Sequence, residues 1–191
     1  MKDQLLKART HRRYQNKKVD IEIVRNIIKG AKNSPSAFNM QLSRYIIVNE
    51  DMELKDKLFK LTNLPTFHEV EEQHKPAGYI IVVVEKSRIK NRDTLSFDQG
   101  IVYQSINLMM NEYGMRNVCL FSPNKNKIQE LLKLGINKYE VSYAIGYGHP
   151  LTKKRNVVET EDISAWKYFK DESGIYNVPK LTLETLIIDE K

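Results

Sequence analysis

Residues 78–85 read GYIIVVVE, an apolar run with no polar residue between Tyr79 and Val84. A strand turns alternate side chains to opposite faces, so an apolar run without alternation belongs to a strand covered on both sides. The chain must supply helices to cover it, and its periodicity offers them. Val24, Ile27, Ile28 and Ala31 mark one helix over 20–31, with Asp20 as N-cap and Val19 set to pack on Val24. Leu54, Leu58 and Leu61 mark a second over 52–61, capped by Asp51. A third, over 98–113, is apolar across a wide arc and ends at Gly114, as a helix buried in a core or an interface would be. Ser122-Pro123 predicts the start of a fourth, and Gly135 its end. Further strands are expected at RYIIVN (44–49), RNVCLF (116–121) and EVSYAIGY (140–147). Strands alternating with helices predict an α/β sandwich with a mixed or parallel sheet.

The 191 residues and 41% apolar content suit one domain with a real core. No apolar run approaches 18 residues, so no membrane span is expected. The start, MKDQLLKART, lacks the pattern of a secretory signal. The single cysteine, Cys119, excludes an internal disulfide and a Cys-rich zinc site and fits a reducing, cytoplasmic setting. It lies in a strand-like run and reads as buried filler, since a reactive thiol needs an electropositive, partly exposed place. The net charge of +7 attracts phosphates, but basic and acidic residues alternate and no nucleic-acid motif is present.

Chemistry-bearing motifs are mostly absent. There is no GxGxxG after a strand, no P-loop and no GxSxG elbow. His11, His68, His74 and His149 show no zinc spacing, and no carboxylate pair stands out, so no metal site is expected. What remains is basic. Arg9, Arg12 and Arg13 fall within five residues of RTHRRY, and Lys153, Lys154 and Arg155 follow the last main strand. Arginine forks bind phosphate bidentately, Thr10 adds a hydroxyl, and loops at strand ends are where ligands sit in open sheets. Taken alone, each cluster is more often a solvated surface than a phosphate site.

Four blocks in order carry a resemblance. RTHRRY is followed by a helix, then SPSAFNMQ (34–41), then a strand; FDQGIVYQSINLMMNEYGM and YAIGYGHPLTKKR come later. This arrangement, over about residues 5–155, resembles the nitroreductase family of flavin enzymes. The resemblance implies an α+β or α/β three-layer sandwich, a central mixed sheet flanked by helices, in an intertwined homodimer. Residues 1–155 would form the FMN-binding domain, and 156–191 an apolar extension packing on it or on the partner subunit. It implies non-covalent FMN shared between subunits. Arg9, Thr10 and Arg12 match the first FMN segment, with Arg12 toward the pyrimidine edge, and Lys153 and Arg155 the second phosphate pair. Pro35, Ser36 and Ala37 match a turn lying along the flavin, contributed by the other subunit, and Asn39 and Gln41 the amides after it.

The chain also departs from the family pattern. Ala8 stands where many members have arginine, Thr10 and Ala37 replace serines, and QLSRY replaces Q-P-W-x-F. The family's N–H to flavin N5 comes from the loop here reading SPNK; Pro123 has none, which leaves Asn124. A cation at the N1/O2 edge eases flavin reduction, and the flavin itself carries the hydride chemistry, so no catalytic side chain is named. The implied activity takes hydride from NADH or NADPH and reduces a nitroaromatic, quinone or similar planar acceptor in ping-pong order. The alternative is an FMN store or sensor with little turnover. No nucleic acid and no membrane are expected as partners. In the segment 62–75, Phe67 and His68 stand as candidates for substrate contact against the reading of an ordinary surface loop.

Overall fold

A computed structural model describes residues 2–152 and 155–191. The chain divides into two units, Met1–Leu151 and Thr152–Lys191.

The first unit runs α1 (Lys2–Lys7), α2 (Ile21–Ala31), β1 (Ser43–Val48), α3 (Met52–Leu61), β2 (Gly78–Glu85), α4 (Arg92–Glu112), β3 (Arg116–Leu120), α5 (Lys125–Leu131) and β4 (Tyr139–Gly148). The strand order is β1-β2-β4-β3, so the apolar run of β2 is an inner strand. Its side chains split by parity. Ile80 and Val82 pack with Val24 and Ile27 of α2 and with Val102, Ile106 and Met110 of α4. Tyr79, Ile81 and Val83 pack on the other face with Leu58 and Phe59 of α3 and Ile128 of α5. This is the three-layer sandwich, and it explains why the run shows no alternation: both faces are core. Burying each such side chain contributes on the order of 1.5–3 kcal/mol.

Every pairing in this sheet is antiparallel, where a mixed sheet was expected. Burial on both faces dictates the apolar run but not the strand direction. One irregularity shapes the sheet: Val82 faces Tyr143 and Val83 faces Val141, which leaves Ser142 as an extra residue. That bulge turns Val141 and Ala144 to the α3/α5 side while Tyr143, Ile145 and Tyr147 face α2 and α4.

The caps are local chemistry. Asp20 accepts from the Glu22 amide, Asp51 from Leu54 and Asn91 from Thr94. The third helix thus begins at Arg92, six residues before its expected start, because Asn91 is its cap. Gly114, at φ +66°, ends it with Met115 N–H bonding to Met110 O. Helix α5 differs from expectation at both ends. Asn124, not Ser122, is its cap, accepting from the Lys127 amide. Lys133, at φ +52°, reverses the chain, with Leu134 N–H bonding to Gln129 O; Gly135 takes no part.

Gly78 is required for a different reason. A Cβ there would lie 2.4 Å from the Tyr147 hydroxyl and 2.9 Å from Val48 O. Gly78→Ala is expected to cost about 1–3 kcal/mol through overpacking, read as a lower denaturant midpoint with an unchanged slope.

The second unit forms its own mixed sheet, β5 (Arg155–Thr160), β6 (Phe169–Lys170) and β7 (Tyr176–Leu181), in the order β5-β7-β6. β5 and β7 run parallel, β6 and β7 antiparallel, and α6 (Leu183–Leu186) follows under a Thr182 cap. Trp166, Ile163 and Ile188 are exposed.

Candidate functional site

The basic strip is an extended segment tied down at both ends. His11 N–H donates to Asn117 O of β3 at 3.1 Å, Tyr14 N–H to His74 O at 2.9 Å, and Gln15 N–H to His149 O at 2.9 Å. The Tyr14 ring is wholly buried and its hydroxyl donates to His11 O and Gly146 O. Asn117, also buried, accepts from the Tyr103 hydroxyl of α4 at 2.9 Å and donates to Asn107 at 3.0 Å. A polar hub between α4 and β3 therefore fixes where the strip begins.

On this track Arg9 and Arg12 are half-buried and Thr10 is exposed. The Nε atoms of Arg9 and Arg12 are both buried without a hydrogen-bond partner among the described residues. Burial lowers the Arg9 pKa from its ordinary value. Two buried guanidinium donors without acceptors favour an anion. Arg13 plays another part. It donates to Glu69 O at 2.7 Å and pairs with Glu71 at 2.9 Å, which pins the 62–75 segment to the strip.

That anchoring brings His68 beside the arginines. Burial lowers its pKa first, and the Arg12 and Arg13 charges lower it further. The folded value lies below the unfolded one, so the unfolded chain takes the proton first as pH falls. His68 thus contributes stability that is complete above about pH 6.5 and is lost as pH drops below it. His68→Gln is expected to flatten the decline of melting temperature over that acidic range, measured against the native chain. Phe67 packs edge-on against His68, with ring centroids 4.9 Å apart, and is largely exposed.

The turn at 34–41 is anchored elsewhere, on α4. The Asp98 carboxylate, nearly buried, accepts from Ala37 N–H with both oxygens at 3.1 Å. Ser34 and Ser105 hydroxyls meet at 2.7 Å. Ser36 Oγ accepts from Gln41 N–H at 3.1 Å, and Gln41 Nε2 donates to Asn39 Oδ1 at 2.9 Å. Phe38, Asn39 and Gln41 all have positive φ, at 51°, 54° and 47°. Pro35, Ser36, Gln41 and Asp98 line a groove with Ala31 and Arg44. The turn projects Phe38 into solvent at 96% exposure.

The remaining expectations fare differently. Asn124 is placed as a helix cap, and its own N–H donates to Leu61 O at 2.8 Å. The amide expected to reach flavin N5 is therefore engaged in holding α5 to the end of α3. Lys153 lies outside the described residues. Arg155 opens β5 in the second unit, its guanidinium 5.1 Å over the Tyr176 ring. Cys119 is partly buried and desolvation pushes its thiol up to about 11, in line with its reading as filler. Among the described residues no cluster of His, Cys, Asp and Glu suits a metal, and no helix is long and apolar enough to cross a membrane. Sequence reasoning missed Asp98 and Asn117 as anchors; the Asp sat in the quoted FDQG block, whereas nothing marked the Asn.

The sequence model of the Nitroreductase family matches residues 5–149, and the chain belongs to that family. Solved structures share its fold. A Desulfovibrio desulfuricans protein described as a nitroreductase in complex with FMN is 21% identical, covers 99% of this chain and 95% of its own, and superposes with a TM-score of 0.72. A nitroreductase family protein from Clostridium novyi NT is 22% identical, with 78% and 84% covered and a TM-score of 0.68. An FMN-dependent nitroreductase from Clostridium difficile R20291 is 22% identical, with 80% and 88% covered and a TM-score of 0.66. Among curated proteins nothing matches.

Proposed function

We propose that the chain is an FMN-dependent oxidoreductase that takes hydride from NADH or NADPH and reduces a nitroaromatic, quinone or similar planar acceptor in ping-pong order. The observation that carries this reading is the pair of buried, unpartnered Nε atoms of Arg9 and Arg12 on a rigid track, in a chain of this family. They fit an FMN phosphate and pyrimidine edge: donors already desolvated lose little on meeting an anion. Bound there, FMN supplies the hydride chemistry. Arg9 with Thr10 holds the phosphate, Arg12 places positive charge by the ring, and the His11 and Tyr14 anchors keep both from moving. Lys153 and Arg155 are proposed as a second phosphate pair, on their own account.

The working unit is proposed to be a cytoplasmic homodimer in which each site takes the partner's turn at 35–41. Support comes from Phe38, held out in solvent by a turn that is strained without it touching its own core. Sedimentation of a monomer at assay concentration would remove the shared site.

A second reading, an FMN store with little turnover, draws on the 122–124 loop: Pro123 has no N–H and that of Asn124 is engaged by Leu61. One experiment separates the readings. Purified protein is scanned for the two flavin absorbance bands, then given NADH and NADPH without oxygen. Bands that bleach establish the oxidoreductase and its donor. Bands that persist favour the store, and no bands even after incubation with FMN defeat both.

A further inference from the structure

A second basic site lies at the N-terminal end of α3, built from residues other than the strip at 9–13. Its pocket is lined by Asn16, Lys17, Lys18, Lys55, Gln73 and Lys75. Lys55 forms the floor and is only 8% exposed. Its ammonium donates to Asn49 O at 2.7 Å and Ala77 O at 3.1 Å. An ammonium has three donors, so one remains for the pocket.

The position of that floor is fixed by a buried network. The Tyr147 hydroxyl donates to Asn49 Oδ1 at 2.7 Å, and Asn49 Nδ2 donates to Val19 O at 2.8 Å. One asparagine thus ties together β4, the carbonyl that holds Lys55 and the segment that carries Lys17 and Lys18. Upstream, Gln15 is held by His149 O and Pro150 O, and Lys17 N–H closes a tight turn on Gln15 O at 2.8 Å. Lys75 pairs with Asp56, and Glu72 stands 3.9 Å from it. The lining therefore carries four lysines against the one carboxylate of Glu72.

A buried cation among other cations is costly unless an anion joins it. Burial, then Lys75, lower the Lys55 pKa, with Lys18 adding to them against Asp56 and Asp51. Holding two backbone carbonyls explains a lysine at position 55, and the pair with Asp56 one at 75, but neither explains Lys17 and Lys18 lining the same pocket, nor the amides of Asn16 and Gln73 beside them. Ammonium groups with amide donors around a concave floor match a phosphate group. We propose that this pocket binds the phosphate group of a small molecule or free phosphate.

The test reads lysines by amine acetylation and peptide mass spectrometry on the full chain. Inorganic phosphate and adenosine monophosphate are compared with sodium chloride at equal ionic strength. At saturating phosphate, labelling of Lys17 and Lys18 is expected to slow about tenfold, as occupancy at ten times Kd requires. Exposed Lys29 and Lys60 should not change. The protection should vanish in Lys55→Met, and in Lys75→Gln should Lys55→Met fail to fold. Protection by the nucleotide at lower concentration than by phosphate assigns a phosphorylated small molecule; equal protection assigns the free anion. Equal labelling in phosphate and chloride, or protection that survives both substitutions, overturns the site. The readout is confined to Lys17 and Lys18, so it stands whether or not FMN binds at the arginine strip.

Discussion

Arg9→Ala is expected to weaken FMN binding by about 10- to 100-fold, the cost of losing one charge-assisted hydrogen-bonding group to a phosphate. Arg12→Ala should fall in the same range and also make the flavin harder to reduce, because its charge is proposed to sit beside the ring. Arg9→Lys should recover only part of the loss, since a point charge does not replace the planar fork. The choice of control matters. Arg88 would not serve, because its guanidinium donates to Met40 O at 2.8 Å within the 35–41 turn. Arg25 is the better control: it is exposed, and its ion pair among the described residues is with Glu22, one turn away on α2. Such a surface pair contributes little. Fluorescence titration with FMN checks all four variants. Retention of FMN by Arg9→Ala equal to that of Arg25→Ala would mean that the phosphate is held elsewhere.

The layers of this fold were legible because β2 has apolar residues on both faces, which calls for a cover on each side of the sheet. Helix α2 was readable to the residue because Asp20, Val19 and the apolar spacing agree with one another. Strand direction was not readable: antiparallel and parallel inner strands demand the same residues when both faces are core. The start of α5 was misplaced because Ser122-Pro123 has the form of a cap, whereas the cap is Asn124, which accepts from the Lys127 amide and is itself held by a tertiary bond to Leu61 O. In the site, the arginines announced themselves by type and crowding. Their anchors did not. Asn117 is one of many asparagines in the sequence, and only the fold brings α4, β3 and the strip together around it. His68 was a candidate in a loop, and its place beside the arginines comes from Arg13, which ties that loop to the strip through Glu69 and Glu71. Long-range polar contacts leave no periodic trace, and they set most of this geometry.

Asp98→Ala is expected to be the most damaging single change outside the hydrophobic core. The carboxylate accepts from Ala37 N–H through both oxygens and is nearly buried. Its removal leaves that amide unpaired, at a cost of about 1–3 kcal/mol. It also releases the turn in which Phe38, Asn39 and Gln41 are held at positive φ. Bulky phenylalanine tolerates that region poorly, so the conformation persists only while its surroundings enforce it. Once freed, the segment should relax toward ordinary backbone angles and lose the bond from Gln41 N–H to Ser36 Oγ. A melting temperature lower by about 2–10 °C is expected for a chain of this size. Asp98→Asn separates the two contributions, because its side-chain oxygen still accepts from Ala37 while the charge is gone. If the hydrogen bond is what matters, Asn should recover most of the stability. If the turn also completes a flavin site across the dimer, Asp98→Ala should lose FMN as well, although Asp98 itself is engaged with Ala37. A variant that melts low yet keeps FMN at full affinity would detach the turn from the cofactor and leave it a purely structural element.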